Sequence, residues 1–254
     1  MLIGNSLTQR DIAELRGKPV DCLFPVILRL NEGVQRLRFE SFTSSSGISD
    51  RVKASLSRHQ EWLDALDGSS LSPEPGVSLW DKLATKAMAS HGFAPLPDDV
   101  LDVVIRHSAN PTDSAFEVSS SEVLRVGISK LTMQVGENQI FAICSRVPVN
   151  SSEDHHIPML DFLCPCSESN QASILNMLRR IGEDSGAIVE SGRSYHYYGF
   201  RLLAQRDWVK FMAKALMFAP FSDPRYIAHR LIDGQCRLRV YSRSRTMPRI
   251  GQVF

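Results

Sequence analysis

Between Ile157 and Ser242 the chain alternates short apolar stretches with longer amphipathic ones, and this alternation narrows the folds open to it. Ile157 to Leu163 is an apolar run of strand length that holds one acid, Asp161. Ser169 or Asn170 can cap a helix running to about Glu183, with Ile174, Leu178 and Ile181 on one face and Gly186 as its stop. Ala187 to Leu203 predicts two strands broken at Ser191-Gly192-Arg193. Asp207 to Ala219 predicts a helix whose stripe of Trp208, Phe211, Met212, Ala215 and Leu216 is a core stripe. Phe221 to Ile232 reads as a turn and a short helix, and Cys236 to Ser242 as a strand with alternating arginines. Strands and helices mixed in this way give an α+β class, an antiparallel sheet backed by helices.

Upstream, Glu122 to Lys130 and Ile140 to Pro148 read as a hairpin closed near Gly136-Glu137-Asn138. The apolar run CLFPVILRL and the alternating QRLRFESF read as strands about a turn at Asn31-Glu32-Gly33. Asp50 can cap a helix from Arg51 to Leu66, and a second helix is expected from Leu79 to Ser90. Ser108 to Ser121 is polar and contains Pro111. It suggests a division into an N-terminal α/β accessory module, residues 1–115, and a second domain, residues 116–254. No internal repeat is visible.

At 254 residues and 43% hydrophobic the chain can build a real core, which argues against wholesale disorder. No apolar run reaches the roughly 18 residues of a spanning helix, so no membrane association is expected. The first residues contain Asp11 and Glu14 and no apolar core of a secretory signal. Five unpatterned cysteines read as reduced thiols, and together these features predict a cytoplasmic location.

Charge says more by position than in total. The last 64 residues hold twelve Lys and Arg against Asp207, Asp223 and Asp233, a balance of +9. The 190 residues before them hold 17 basic and 25 acidic side chains, a balance of −8. This asymmetry points to a polyanion surface on the C-terminal part, or to a basic face that pairs internally with the acidic part.

Three local features carry chemistry. MLDFL holds Asp161 inside an apolar strand, where a carboxylate is costly unless paired or bound to a metal. SGRSYHYY is a glycine turn feeding a strand that projects Ser194 and His196 on one face. SDPRY places Asp223 after a helix, and CRLRVYSRS then puts Arg237 and Arg239 on one face of a strand.

The order of an acid-bearing strand, a helix, a Ser-x-His strand, a helix, an acid and an arginine-bearing strand resembles the archaeo-eukaryotic primases and primase-polymerases. The likeness covers roughly Glu122 to Arg245, and ESGRSYHYYGF is its most specific part. It is closest to small, divergent bacterial branches, often encoded by mobile elements or antiviral defence loci. It implies a primase-polymerase-like palm, an antiparallel sheet of RRM type backed by helices, and a nucleotidyltransferase that acts on nucleic acid with nucleoside triphosphates. Such transfer uses divalent cations, Mg²⁺ or Mn²⁺, to activate a 3′-hydroxyl and stabilise the leaving pyrophosphate, and hard cations take carboxylate oxygens. By resemblance Asp161 and Asp223 are the catalytic, metal-holding pair. Ser194, His196, Arg193 and Arg239 are nucleotide contacts, and Arg237, Arg243 and Arg245 are nucleic-acid contacts.

The chain departs from the family where a second acid of the first motif is replaced by Leu163, which cannot ligate a metal. Glu168, Glu190 and Asp233 are the acids that can substitute in space. The departure favours an alternative, a catalytically degenerate palm that binds nucleotide or nucleic acid inside a protein complex. The bland readings of the same residues stay open. Asp161 can pair with an arginine, His196 can be a core histidine, and Asp223 before Pro224 can be a helix cap. His155-His156 with Cys164 and Cys166 offers zinc ligand types, but the Cys-x-Cys spacing is unusual for zinc. No Gly-x-Ser-x-Gly, His-Glu-x-x-His or GxxxxGK[ST] motif supports the common hydrolases, zinc proteases or motors.

Overall fold

The computed structural model describes residues 14–43, 60, 112–128, 136, 139–150, 153–242 and 247–254. Two compact units divide the chain, Met1–Thr43 with Thr112–Phe254, and Ser44–Pro111. The helices expected at 51–66 and 79–90 lie outside the described residues, as do Arg243 and Arg245.

The first unit is α+β. A 3-10 turn, Val20–Cys22, leads into helix α1 (Leu23–Leu30), and strand β1 (Arg36–Thr43) follows. After the second unit come β2 (Ser114–Ser119), α2 (Ser120–Val126), β3 (Gln139–Cys144), β4 (Arg146–Val149) and β5 (Glu153–His156). Then follow β6 (Met159–Asp161), α3 (Glu168–Ile181), β7 (Gly186–Glu190), β8 (Tyr195–Gly199) and β9 (Leu203–Ala204). The last elements are α4 (Gln205–Leu216), α5 (Pro224–Asp233), β10 (Arg237–Ser242) and β11 (Arg249–Val253). One antiparallel sheet has the order β10-β3-β1-β2, a second β11-β7-β8-β6, and a small third β4-β5-β9. No described helix is long and apolar enough to cross a membrane.

Aromatic packing ties the two four-stranded sheets together. Phe39 stacks on Phe116 and on Phe141, with ring centroids 5.9 and 5.1 Å apart. Phe24 of α1 meets Phe39 and Tyr198 edge-on, each at 6.2 Å, and so bridges the first sheet to β8 of the second. Offset and edge-to-face arrangements are the ones that ring quadrupoles favour. On the other face of β8, Tyr195 bonds the main chain of Ser167 and Tyr197 bonds Glu183, at the two ends of α3.

Two expected strands are helices. CLFPVILRL forms α1, in which Leu23, Phe24, Val26, Ile27 and Leu28 are all buried. A short run that is apolar all round looks the same in a buried helix and in a buried strand. The segment from Glu122 begins within α2, where Ser119 accepts the Glu122 N–H at 3.2 Å. The sequence Ser119-Ser120-Ser121-Glu122 carries that capping signature. Among the described residues β3 pairs instead with β1 and β10. The expected division at 115/116 runs through β2, and β1 enters the sheet between β2 and β3.

Helix α3 is capped by Ser167 and ends at Gly182, whose φ of +100° is the left-handed region glycine tolerates. Gly186, expected as the stop, opens β7 instead. A Cβ there would collide with the Tyr197 ring.

Candidate nucleotide site

The site is a row of side chains across the second sheet. β6 pairs with β8 so that Asp161 lies directly opposite His196, and His196 lies opposite Val189 of β7. Residues directly opposite in an antiparallel pair share a face. The Asp161 side chain is 30% exposed and that of His196 is 8% exposed, so the row opens to solvent at its acid end. Their closest atoms, Asp161 Oδ1 and His196 Nε2, are 3.6 Å apart, too far for a good hydrogen bond. Burial, and then the Arg239 charge, push the His196 imidazole down to about 3. The ring is neutral at pH 7, and its buried Nδ1 has no partner.

The row extends past Asp161 to the second acid. Phe162 forms a bridge with Ser222, Leu163 donates its N–H to the Phe221 carbonyl at 3.1 Å, and Asp223 donates its N–H to the Asp161 carbonyl at 3.1 Å. This antiparallel step sets Asp223 opposite Asp161, with Cα atoms about 5.5 Å apart for such a pair. Asp223 is also the N-cap of α5. Its Oδ1 accepts the N–H groups of Arg225 and Tyr226 at 2.9 and 3.1 Å, ahead of Pro224 in the first turn. The cap uses Oδ1 and leaves Oδ2 out of those two bonds.

Burial, and then the neighbouring Asp223, push the Asp161 carboxyl up to about 8, against the Phe162 N–H and Arg239, which pull it down. The usual value is 3.8, so the fold favours the protonated acid. That preference is fully present below the unfolded value and is lost as pH rises through the folded one. Without metal, Asp161→Asn is therefore expected to melt higher than wild type at pH 8.5, with the difference vanishing near pH 4. Because the side chain is partly solvated we expect only about 1–2 kcal/mol, or several degrees, read as melting temperature against pH in chelator.

Arg239 reaches this cluster from β10 and donates to the Ser191 carbonyl. Ser191 opens the turn before β8, where Gly192 has a φ of +125°. The Ser191 N–H bonds the Ser194 carbonyl at 2.9 Å, and the two hydroxyls are 3.2 Å apart. The turn leaves Arg193 exposed and Ser194 half-buried. Arg239 is thus fixed to the turn that carries Arg193 and Ser194, while its charge acts on Asp161 and His196.

Arg237 lies elsewhere. Its side chain is 14% exposed and bonds Glu40 at 3.0 Å and Asp233 at 2.8 Å. That is the internal pairing of basic and acidic parts, here drawn across the first sheet.

Two facing carboxyl groups, one made basic by burial and then by the other, are a donor set that suits a hard divalent cation. Among the described residues no group of three or more His, Cys, Asp or Glu is placed to hold a metal. Glu168, Glu190 and Asp233 are not among the charges acting on Asp161. The zinc alternative loses His156, which contacts Ser145 and Gln205 through its two nitrogens and stacks on Trp208. Tyr198 escapes the sequence reading. It follows His196 on the same face of β8, and its buried hydroxyl has no partner. Its i, i+2 spacing from His196 was the signal that could have found it.

Of the comparisons with known proteins, one finds a match. The family model for AEP-like proteins, described as archaeo-eukaryotic primase 1D-like, matches residues 120–251, half of the chain. No curated protein and no solved structure matches it significantly. A family model that spans α2 to β11, and with them both acids, the Ser-x-His strand and Arg239, places this chain in the archaeo-eukaryotic primase-like family.

Proposed function

We propose that the chain is a primase-type nucleotidyltransferase that uses one or more divalent cations and nucleoside triphosphates to make or extend a nucleic-acid strand. The single observation behind this reading is the row Asp223–Asp161–His196, with Arg239 and the Ser191–Ser194 turn at its side. Asp161 and Asp223 would hold Mg²⁺ or Mn²⁺, which supplies activation of the 3′-hydroxyl and stabilisation of the leaving pyrophosphate. Ser194 and Arg193 offer a hydroxyl and a guanidinium to the phosphates. Arg239 offers a charge held in place by the Ser191 carbonyl. His196 is neutral and buried, so it presents a fixed ring nitrogen rather than a positive charge.

Labelled-nucleotide incorporation on single-stranded and primed templates with Mn²⁺ tests the reading, comparing wild type with variants of the two acids. One observation favours the second reading, a palm that binds nucleotide without turning it over. The position of the family's second acid is Leu163, 48% exposed, and the described residues supply no third acid in its place. Nucleotide binding by a wild type that incorporates nothing on any template would select that reading.

A further inference from the structure

We propose that the helical side of the second sheet, around the groove between the end of α3 and the start of α4, docks the phosphate backbone of a nucleic-acid strand. It is a second contact, apart from the acid row, and the choice of partner rests on the proposed action on nucleic acid. The distribution of charge carries it. Of the twelve Lys and Arg in the last 64 residues, Arg230 is tied to Asp233, and Arg237 to Asp233 and Glu40. Arg239 is fixed to the turn that carries Arg193. Arg201, Arg206, Lys210 and Lys214 gather instead on α4 and just before β9, with Asp207 the one acid in that stretch. All four are exposed. Arg206, Lys210 and Lys214 recur every four residues of α4 and so form one stripe about 12 Å long. Lys214 donates to the Ile181 carbonyl at 3.1 Å, which sets the stripe against the last turn of α3 and its exposed Arg179 and Arg180.

Between these elements lies a cavity of about 310 Å³, lined by Arg201, Lys210 and Lys214 and, on its apolar part, by Leu203 and Phe211. It opens on the other face of the sheet from the acids. Tyr197 alternates with His196 along β8, and its ring lies 6.4 Å from that of Phe211. Two carboxyl groups share the cavity, and neither cancels its cations. Asp207 takes up Lys210 alone, at 3.1 Å. Glu183 is buried, accepts the Tyr197 hydroxyl at 2.7 Å, and has its carboxyl pushed up by that burial. Arg201 and Arg206 make no hydrogen bond or ion pair among the described residues. An evenly spaced stripe of cations suits an evenly charged polyanion better than a single ion or the irregular acids of a protein surface. A strand of a duplex carries a phosphate about every 3.4 Å, so a stripe of this length meets about three or four of them. Such contacts hold a strand whatever its sequence.

The test is binding of a labelled single-stranded oligonucleotide to the full chain across a salt series, without metal or nucleotide. Wild type is compared with the double variant Arg201→Gln, Arg206→Gln, whose two side chains are exposed, so melting near wild type is expected. Losing two phosphate contacts should lower the slope of log affinity against log salt by about 1.4, and the affinity near about 0.1 M salt by roughly tenfold or more. Binding of dATP with Mn²⁺ should stay at the wild-type level, because the acid row is on the other face. An unchanged slope and affinity in the double variant overturns this surface and leaves strand binding elsewhere standing. A wild type that binds no oligonucleotide even at low salt overturns the proposed action on nucleic acid and this surface with it. Polyglutamate of equal charge, bound as tightly as the oligonucleotide and weakened equally by the two substitutions, would give the face to an acidic protein and overturn the assignment.

Discussion

Asp161→Ala is expected to lower nucleotide incorporation by about a thousandfold or more, the loss of several kcal/mol of transition-state stabilisation. Removing this carboxyl takes away half of the described donor set for a cation and leaves Asp223 without the group that faces it. Asp223 needs a more careful substitution, because it also caps α5. Asp223→Ala removes cap and charge together and is expected to cost about 1 kcal/mol of stability through the cap alone. Asp223→Asn keeps a side-chain oxygen for the Arg225 and Tyr226 N–H groups and removes only the charge. It should melt near wild type and incorporate as poorly as Asp161→Ala. Single-turnover incorporation with Mn²⁺, alongside melting curves, separates the two effects. Wild-type rates in Asp161→Asn and Asp223→Asn would remove the acid pair from any role in the chemistry.

The acid row was legible because each member follows from a local pattern. A carboxylate in an apolar strand, a Ser-x-His alternation and an Asp-Pro helix start each announce themselves within a few residues. The order of the elements then brings them together. What was not legible depends on distant pairing. The apolar run Leu23–Leu30 becomes helical because it is covered on nearly all sides, by residues far away in the sequence. β1 enters between β2 and β3, although the segment 44–111 separates it from both. The Phe162–Ser222 bridge, which brings Asp161 and Asp223 together, likewise joins segments far apart in the sequence. Arginines read most weakly of all, since the same strand of alternating residues sends Arg239 to the site and Arg237 into ion pairs.

Arg237→Ala is therefore expected to act on folding, by about 3 kcal/mol, rather than on nucleic-acid binding. Arg237 joins Glu40 of β1 to Asp233 at the end of α5, linking residues nearly 200 positions apart. Glu40 is only 3% exposed. Burial alone would push its carboxyl up, yet Arg237, Arg38 and Thr112 hold it below the usual carboxylate value. Taking Arg237 away leaves Glu40 charged, buried and short of its main partner, and a buried charge that loses its partner is costlier than the pair was stabilising. Arg38 and Thr112 remain on Glu40, and Arg230 remains on Asp233, which keeps the loss to the lower end of that range. A depressed carboxylate contributes stability above its unfolded pKa and loses it as pH falls through the folded one. The gap between wild type and Arg237→Ala, measured by urea denaturation, should thus be full at pH 7 and shrink once Glu40 protonates in acid. Arg239→Ala makes the contrast, since it removes a charge at the site and leaves the Glu40 pairing intact. It should weaken nucleotide binding with a smaller change in stability. Loss of nucleic-acid binding in Arg237→Ala at unchanged stability would instead return Arg237 to the binding surface that its place in the arginine strand suggests.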